Sequence, residues 1–499
     1  MTHGFTTRRN VLTGIAATTA LAGLPTGAFA RKPKIEIEAT TREIEVGGKL
    51  VKRLALKGPQ GMDGLRMKKG DDFAVRLTNR LSEETLIHWH GLILPPSQDG
   101  VPGISAPPIQ PGASAEYDFP LVQAGTYWMH SHVGLQEQLG LAMPLILEDP
   151  DDPFRDLQEV VLFLEDFTFK DPYEILKTLR LGGMMSMEHD HGESMKGHAH
   201  SMAESMKMAA DAKMKMGGAM DPSKPDLNDV DYDAYLANSR TLQDPEVVKV
   251  EANAKVRVRI INGGASTNFF ISAGGRTARL IAVDGEPVAP IDDTVFPISI
   301  AQRLDLLVDV PAGAAVPILA QREGDTARTG LILAAPGASV AKVSDNADKA
   351  AGAMGVELET RLVTAAPLPP RPISAELTSS LTGNMQRYVW IIDGAPYPRN
   401  KPLVVTTGQR TAVRIKNETG MSHPMHLHGH VFQVIEIGGL PIDGAVRDTV
   451  LVPPMTNIMI AFDADNPGNW AYHCHNLHHS TCSLTDLVFE AERPVTVEE

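Results

Sequence analysis

Short runs in which apolar and polar residues alternate recur along most of the chain, separated by Gly, Pro, Asn and Asp. Phe73 to Leu77, Val256 to Ile260, Leu304 to Val308, Thr411 to Ile415 and Val431 to Ile435 are examples. Alternation with a period of two points successive side chains to opposite faces of a strand. Strands at this spacing, with turn residues between them, predict an all-β protein built from β-sandwiches or barrels. Three such blocks are expected, at 31–150, 151–340 and 373–499. A length of 499 residues agrees, because at about 150 residues per domain the chain is too long for one core.

Two stretches break the pattern. Residues 341–372 are rich in Ala and Pro and end in Pro367-Leu368-Pro369-Pro370, which predicts a linker. Residues 184–220, within the second block, hold a dense set of methionines and histidines. Pairs such as Met202 with Met206 and Met216 with Met220 would share a helical face. Methionine stripes are usually core, but here they alternate with Lys, Glu, Asp, Ser and Gly and have little to bury. Thioether is a soft ligand that favours Cu(I). The insert therefore reads as a flexible copper-collecting segment, with a plain disordered linker as the alternative.

Composition narrows the class without identifying it. With 43% hydrophobic and 21% charged residues the chain is an ordinary globular protein. A net charge of -15 argues against nucleic-acid binding and suits a cationic partner. Arg8 and Arg9 precede a mildly apolar stretch, and Ala28-Phe29-Ala30 offers a small-x-small cleavage site. Residues 1–30 therefore predict an export signal of the twin-arginine type and a periplasmic product. No later run approaches the roughly 18 apolar residues that a membrane span needs.

The candidate chemistry lies in four short motifs. His88-Trp89-His90-Gly91 and His130-Ser131-His132 stand in the first block. His423-Pro424-Met425-His426-Leu427-His428-Gly429 and His473-Cys474-His475, with His479, stand in the last. One His-x-His pair on a strand is weak evidence, but four in one chain can enclose several metal ions between two domains. The cysteine narrows the metal. In His473-Cys474-His475 the histidines face one way and Cys474 the other, so one strand can touch two sites. Cys474 with His423 and His479 makes the His2Cys set of a blue-copper site. Electrons entering there would pass through Cys474 and its backbone to His473 and His475. A disulfide between Cys474 and Cys482 is not expected.

These motifs resemble the four copper signatures of multicopper oxidases, most closely the bacterial copper-resistance and cuprous oxidases, with three-domain laccases close behind. The stretch from Asp233 through Asn238, Arg240 and Asp244-Pro245-Glu246 to Ile260-Ile261-Asn262 is similar to the second domain of those copper-resistance enzymes. The resemblance implies three consecutive cupredoxin-like Greek-key β-sandwich domains and four copper ions. It assigns His423, Cys474 and His479 to a type 1 copper, and His88 and His426 to a type 2 copper. His90, His130, His132, His428, His473 and His475 would hold a type 3 pair. Asp99, in Gln98-Asp99-Gly100, stands at the family's acid beside the type 2 site; a turn aspartate is the alternative.

The sequence departs from the bacterial pattern in two places. Leu484 stands where many members carry an axial Met, which should raise the type 1 potential. Ser480 stands where an acid often follows the last histidine, so proton delivery through that position is not expected. Met421 and Glu418, just before His423, are candidates for a Cu(I) substrate site. The expected function is a periplasmic enzyme that couples oxidation of Cu(I) to reduction of dioxygen to water, contributing to copper tolerance. A laccase acting on phenols and a non-catalytic copper store are the alternatives.

Overall fold

The computed structural model describes residues 34–185, 227–384, 388–480 and 484–490, without the side chains of 182–185, 384, 484 and 490. The expected export signal at 1–30, nearly all of the Met- and His-rich stretch, Cys482 and the Leu484 side chain lie outside the described residues.

Among the described residues the strands pair into six sheets, which follow one another along the chain as three sandwiches of two sheets each. The pairing repeats. In the first sheet of each sandwich the opening strand lies parallel to a later one: Ile35–Val46 beside Val75–Asn79, Gln158–Phe167 beside Ala254–Asn262, and Ile373–Asn384 beside Arg410–Asn417. In the second sheet the last strand lies parallel to an earlier, short one: Ala142–Glu148 beside Leu65–Lys68, Arg328–Ala334 beside Val247–Lys249, and Leu484–Glu490 beside Leu403–Thr406. Parallel neighbours need crossovers rather than hairpins, and a crossover between sheets is the Greek-key wiring of a cupredoxin-like sandwich.

Period-two burial follows the sequence pattern where one strand face meets water. Val75 and Leu77 are buried on either side of exposed Arg76. The strands nearest the metal motifs are buried on both faces instead, as in Ile87–His90 and His423–Leu427. Their outer face is covered by another sandwich. One apolar cluster runs unbroken from the first sandwich, through Trp89 and Met129, into the third, through Met425, Trp470 and Tyr472. The second sandwich has its own core. The histidine motifs lie along the junction of the first and third.

Residues 341–372 carry only a short 3-10 turn, Glu359–Arg361, yet Leu358 and Leu362 are buried in the second core and Glu359 pairs with Arg447 of the third sandwich. Isolated backbone bridges from Asn346 to Ala327 and from Thr364 to Val288 also tie the segment to the second sandwich. Helix Pro172–Met185 leads into the Met-rich stretch, with Asp171 Oδ1 accepting from the Tyr173 amide at 2.9 Å. Among the described residues no helix is long and apolar enough to cross a membrane.

Candidate metal centre

Register brings the four motifs together. The strand Ile87–His90 pairs antiparallel with Gly125–Ser131, which sets His88 opposite His130. The strand His423–Leu427 pairs with Asn469–Cys474, which sets His426 opposite His473 and Met425 opposite Cys474. Alternation then separates the faces. His426, His428, His473 and His475 point toward the first sandwich, while His423 and Cys474 point away from it.

On the far face three donors converge. Cys474 Sγ lies 3.5 Å from His423 Nδ1 and 3.8 Å from His479 Nδ1, and all three side chains are buried. The outer nitrogens are engaged elsewhere. His423 Nε2 is 2.8 Å from Thr419 Oγ1, and His479 Nε2 is 2.9 Å from Asp229 Oδ2. Each partner can accept the Nε2 proton, which leaves both Nδ1 lone pairs facing the sulfur. Trp390 packs over the pair, its ring 4.3 Å from that of His479. Burial pushes the Cys474 thiol up to about 12, so a thiolate here requires a cation beside it.

On the near face eight imidazoles form a closed group. Donor nitrogens of His88, His90 and His426 come within reach of one ion, as do those of His90, His130 and His475. His428 Nε2 and His473 Nε2 are 3.0 Å apart, and the His132 ring sits 5.2 Å from each of theirs. Outer nitrogens are again held. His88 Nδ1 is 2.9 Å from the Asp99 carbonyl, His426 Nδ1 2.9 Å from that of Asp448, and His473 Nδ1 2.9 Å from that of Cys474. Asp99 Oδ2 reaches His428 Nδ1 at 2.9 Å, and Glu137 Oε2 reaches His130 Nδ1 at 2.7 Å.

The inner nitrogens test whether metal fits. His88 Nε2, His90 Nδ1, His132 Nε2 and His426 Nε2 are buried without a hydrogen-bond partner. An orphaned buried nitrogen costs about 1–3 kcal/mol, and several aimed into one space mark a site for cations. Burial, followed by neighbouring imidazoles, holds His90, His132, His426 and His428 well below the usual histidine range. They are neutral and able to ligate. Eight imidazoles beside a His2Cys set are a donor set for copper.

Two glycines allow this approach. Gly91 has φ +86°, and a Cβ there would lie 2.4 Å from Asp448 Oδ2. Gly100 has φ +80°, and its Cβ would meet the Ile87 carbonyl at 1.9 Å. The turn that carries Asp99 can therefore close onto the strand holding His88.

All ten motif histidines and Cys474 are gathered at these two sites, and Asp99 touches two of them. Met421 is buried in the turn whose Thr419 contacts His423, with its carbonyl bound by the Asn417 side chain at 2.7 Å; Glu418 is exposed. Leu484 lies opposite His473 in backbone register. Sequence reading missed Asp229, Thr419, Glu137 and Asp448. Glu137 follows His132 closely, and Asp448 is an acid in the bend between the short strands Val446–Arg447 and Thr449–Val452; those were the available signals. Asp229 and Thr419 offered none.

Comparison with known proteins agrees with the geometry. Family models described as multicopper oxidase match residues 41–152, 159–330 and 370–490. The multicopper oxidase MmcO of Mycobacterium tuberculosis is 34% identical over 88% of this chain and 84% of its own length. Copper resistance protein A of Pseudomonas syringae pv. tomato is 28% identical over 95% and 97%. The laccase of Botrytis aclada superposes with a TM-score of 0.70 at 24% identity, covering 91% of this chain and 88% of that one, which shows the shared fold.

Proposed function

The chain belongs to the multicopper oxidase family, a copper-binding group of oxidoreductases that use dioxygen, and from that premise we propose that it is a periplasmic enzyme oxidising Cu(I) and contributing to copper tolerance. In this reading His423, Cys474 and His479 hold the type 1 copper. His88 and His426 hold type 2, and the remaining six histidines hold the type 3 pair. Bound copper supplies one-electron oxidation of substrate at the first site and four-electron reduction of dioxygen to water at the second.

The protein supplies position, charge and a path. Cys474 carries the reading: its sulfur faces His423 and His479 while its two chain neighbours face the other cluster. Only a few bonds separate the two sites. Asp229 and Thr419 fix the ring orientation of His479 and His423. Asp99 orients His88 and His428 together, and as a fully buried acid between them it is the group that meets the proton demand of dioxygen reduction.

The choice of Cu(I) rests on the sequence. Ten methionines and four histidines occupy 184–220, and soft thioethers favour Cu(I). Glu418 and Met421, in the turn bonded to His423, are the candidate substrate residues. The name of the Pseudomonas relative, a copper resistance protein, points the same way. Residues 1–30 direct export through the twin-arginine machinery. Dioxygen uptake by copper-loaded protein, driven in turn by Cu(I) and by a phenol, tests the proposal. A larger kcat/KM for Cu(I) supports it; turnover of the phenol alone makes the enzyme a laccase, and no uptake with either makes it a copper store.

A further inference from the structure

The second sandwich contributes none of the eleven clustered ligands, yet we infer that it fixes the geometry of the histidine cluster through one buried guanidinium, that of Arg303. The inference rests on the assignment of His90 and His426 as copper ligands.

Arg303 opens the strand Arg303–Val310 and is fully buried. Its side chain touches all three sandwiches. Nε donates to the Thr126 carbonyl of the first at 3.0 Å. Nη1 donates to the Ala301 carbonyl of its own sandwich at 3.2 Å and to Asp448 Oδ1 of the third at 2.7 Å. Nη2 donates to the Asp284 carbonyl at 2.9 Å and to Asp448 Oδ2. A guanidinium has five N–H donors, and all five are used.

The bidentate pair holds the Asp448 carboxylate in one orientation. Asp448 Oδ1 then lies 3.2 Å from His90 Nε2. The main-chain carbonyl of the same residue lies 2.9 Å from His426 Nδ1. One residue, braced from the second sandwich, thus accepts the outer protons of an imidazole from the first and an imidazole from the third. That choice of tautomer leaves His90 Nδ1 and His426 Nε2 as lone pairs, and these are the nitrogens with no partner. If Asp448 turned, His90 Nε2 would keep only Thr449 Oγ1, at 3.2 Å and itself bonded to Asp448 Oδ1 at 2.8 Å, to hold its proton off Nδ1.

Gly91 gives an independent sign that this space is reserved. A Cβ there would stand 2.4 Å from Asp448 Oδ2 and 2.7 Å from Arg303 Nη2. The glycine that closes His88-Trp89-His90-Gly91 is required by the ion pair lying against it. Asp284 braces the arrangement further, accepting from the Arg303 amide through Oδ1 and from Arg447 Nε through Oδ2, both at 2.8 Å.

Arg303 is therefore a positioning residue for the cluster, and its loss should separate the two copper sites. The test uses full-length, copper-loaded protein carrying Arg303→Lys or Arg303→Met. It reads two quantities per chain: copper retained against a graded chelator, and the blue thiolate–copper band. Cluster copper should be held about 10–100-fold less tightly in both variants. The blue band should be unchanged. Lysine should not rescue, because a single ammonium cannot make a bidentate pair. Cluster copper held as tightly as in the parent would overturn the inference. Proportional loss of copper and blue band would also overturn it, by making Arg303 a residue of general stability. A parent protein that takes up copper at neither site refutes the underlying ligand assignment instead.

Discussion

Asp229 Oδ2 lies 2.9 Å from His479 Nε2, so a fully buried carboxylate stands directly behind a histidine of the His2Cys set. The same oxygen accepts from the Tyr388 hydroxyl at 2.9 Å. A negative charge there stabilises an oxidised, more cationic metal over its reduced form. Asp229→Asn should therefore raise the type 1 reduction potential while keeping the blue colour. A redox titration showing no shift, or a fall, would remove Asp229 from the account.

Cys474→Ser should abolish the blue band and nearly all oxidase activity while lowering bound copper by one ion per chain. In the proposed assignment the sulfur is the charge-transfer ligand and the start of the path to His473 and His475, whereas the cluster histidines remain. Metal analysis and oxygen uptake on the same sample check this. Retained turnover would refute the assignment.

Glu137→Gln should affect the other site. Glu137 Oε2 is 2.7 Å from His130 Nδ1, and both side chains are buried. Burial pushes this carboxyl well above its usual range, so it stays in place as a carboxylate only beside a positive centre. An amide has the same shape but no charge, and it can present its N–H to Nδ1, which disfavours ligation through Nε2. Cluster copper or oxidase activity should fall about 10–100-fold, with the blue band intact. Equal copper retention and equal rates would show that Glu137 only packs.

The candidate ligands were legible because each motif is local. His-x-His on a strand fixes a shared face, and the cysteine between two histidines divides the faces without any tertiary information. Two of the pairings behind the candidate ligands were not legible because the partners are far apart in sequence. Asp229 is 250 positions from His479, and Arg303 is 145 from Asp448. Neither pair leaves a periodic or compositional trace. The sandwiches were readable from alternation at strands such as Val75–Asn79. Alternation fails at His423–Leu427, which is buried on both faces by the meeting of two sandwiches. The stretch 341–372 reads as a linker by composition, although Leu358 and Leu362 sit in a core.

Deleting 184–220 should impair Cu(I) oxidation more than oxidation of a bulky phenol. The stretch contributes none of the assigned cluster ligands, so copper loading should persist. Loss of its thioethers should raise the apparent KM for Cu(I), and a phenol needs none of them. Steady-state oxygen uptake on fully loaded protein separates the cases. Unchanged Cu(I) kinetics would make the segment a linker.

The central claim is that two adjoining copper sites act as one four-electron oxidase. The most direct measurement is the ratio of Cu(I) oxidised to dioxygen consumed by copper-loaded protein, with hydrogen peroxide assayed in the same cell. Four Cu(I) per dioxygen, with no peroxide, is the predicted result. Two Cu(I) per dioxygen with matching peroxide would contradict the account, because the histidine cluster would then not be completing the reduction.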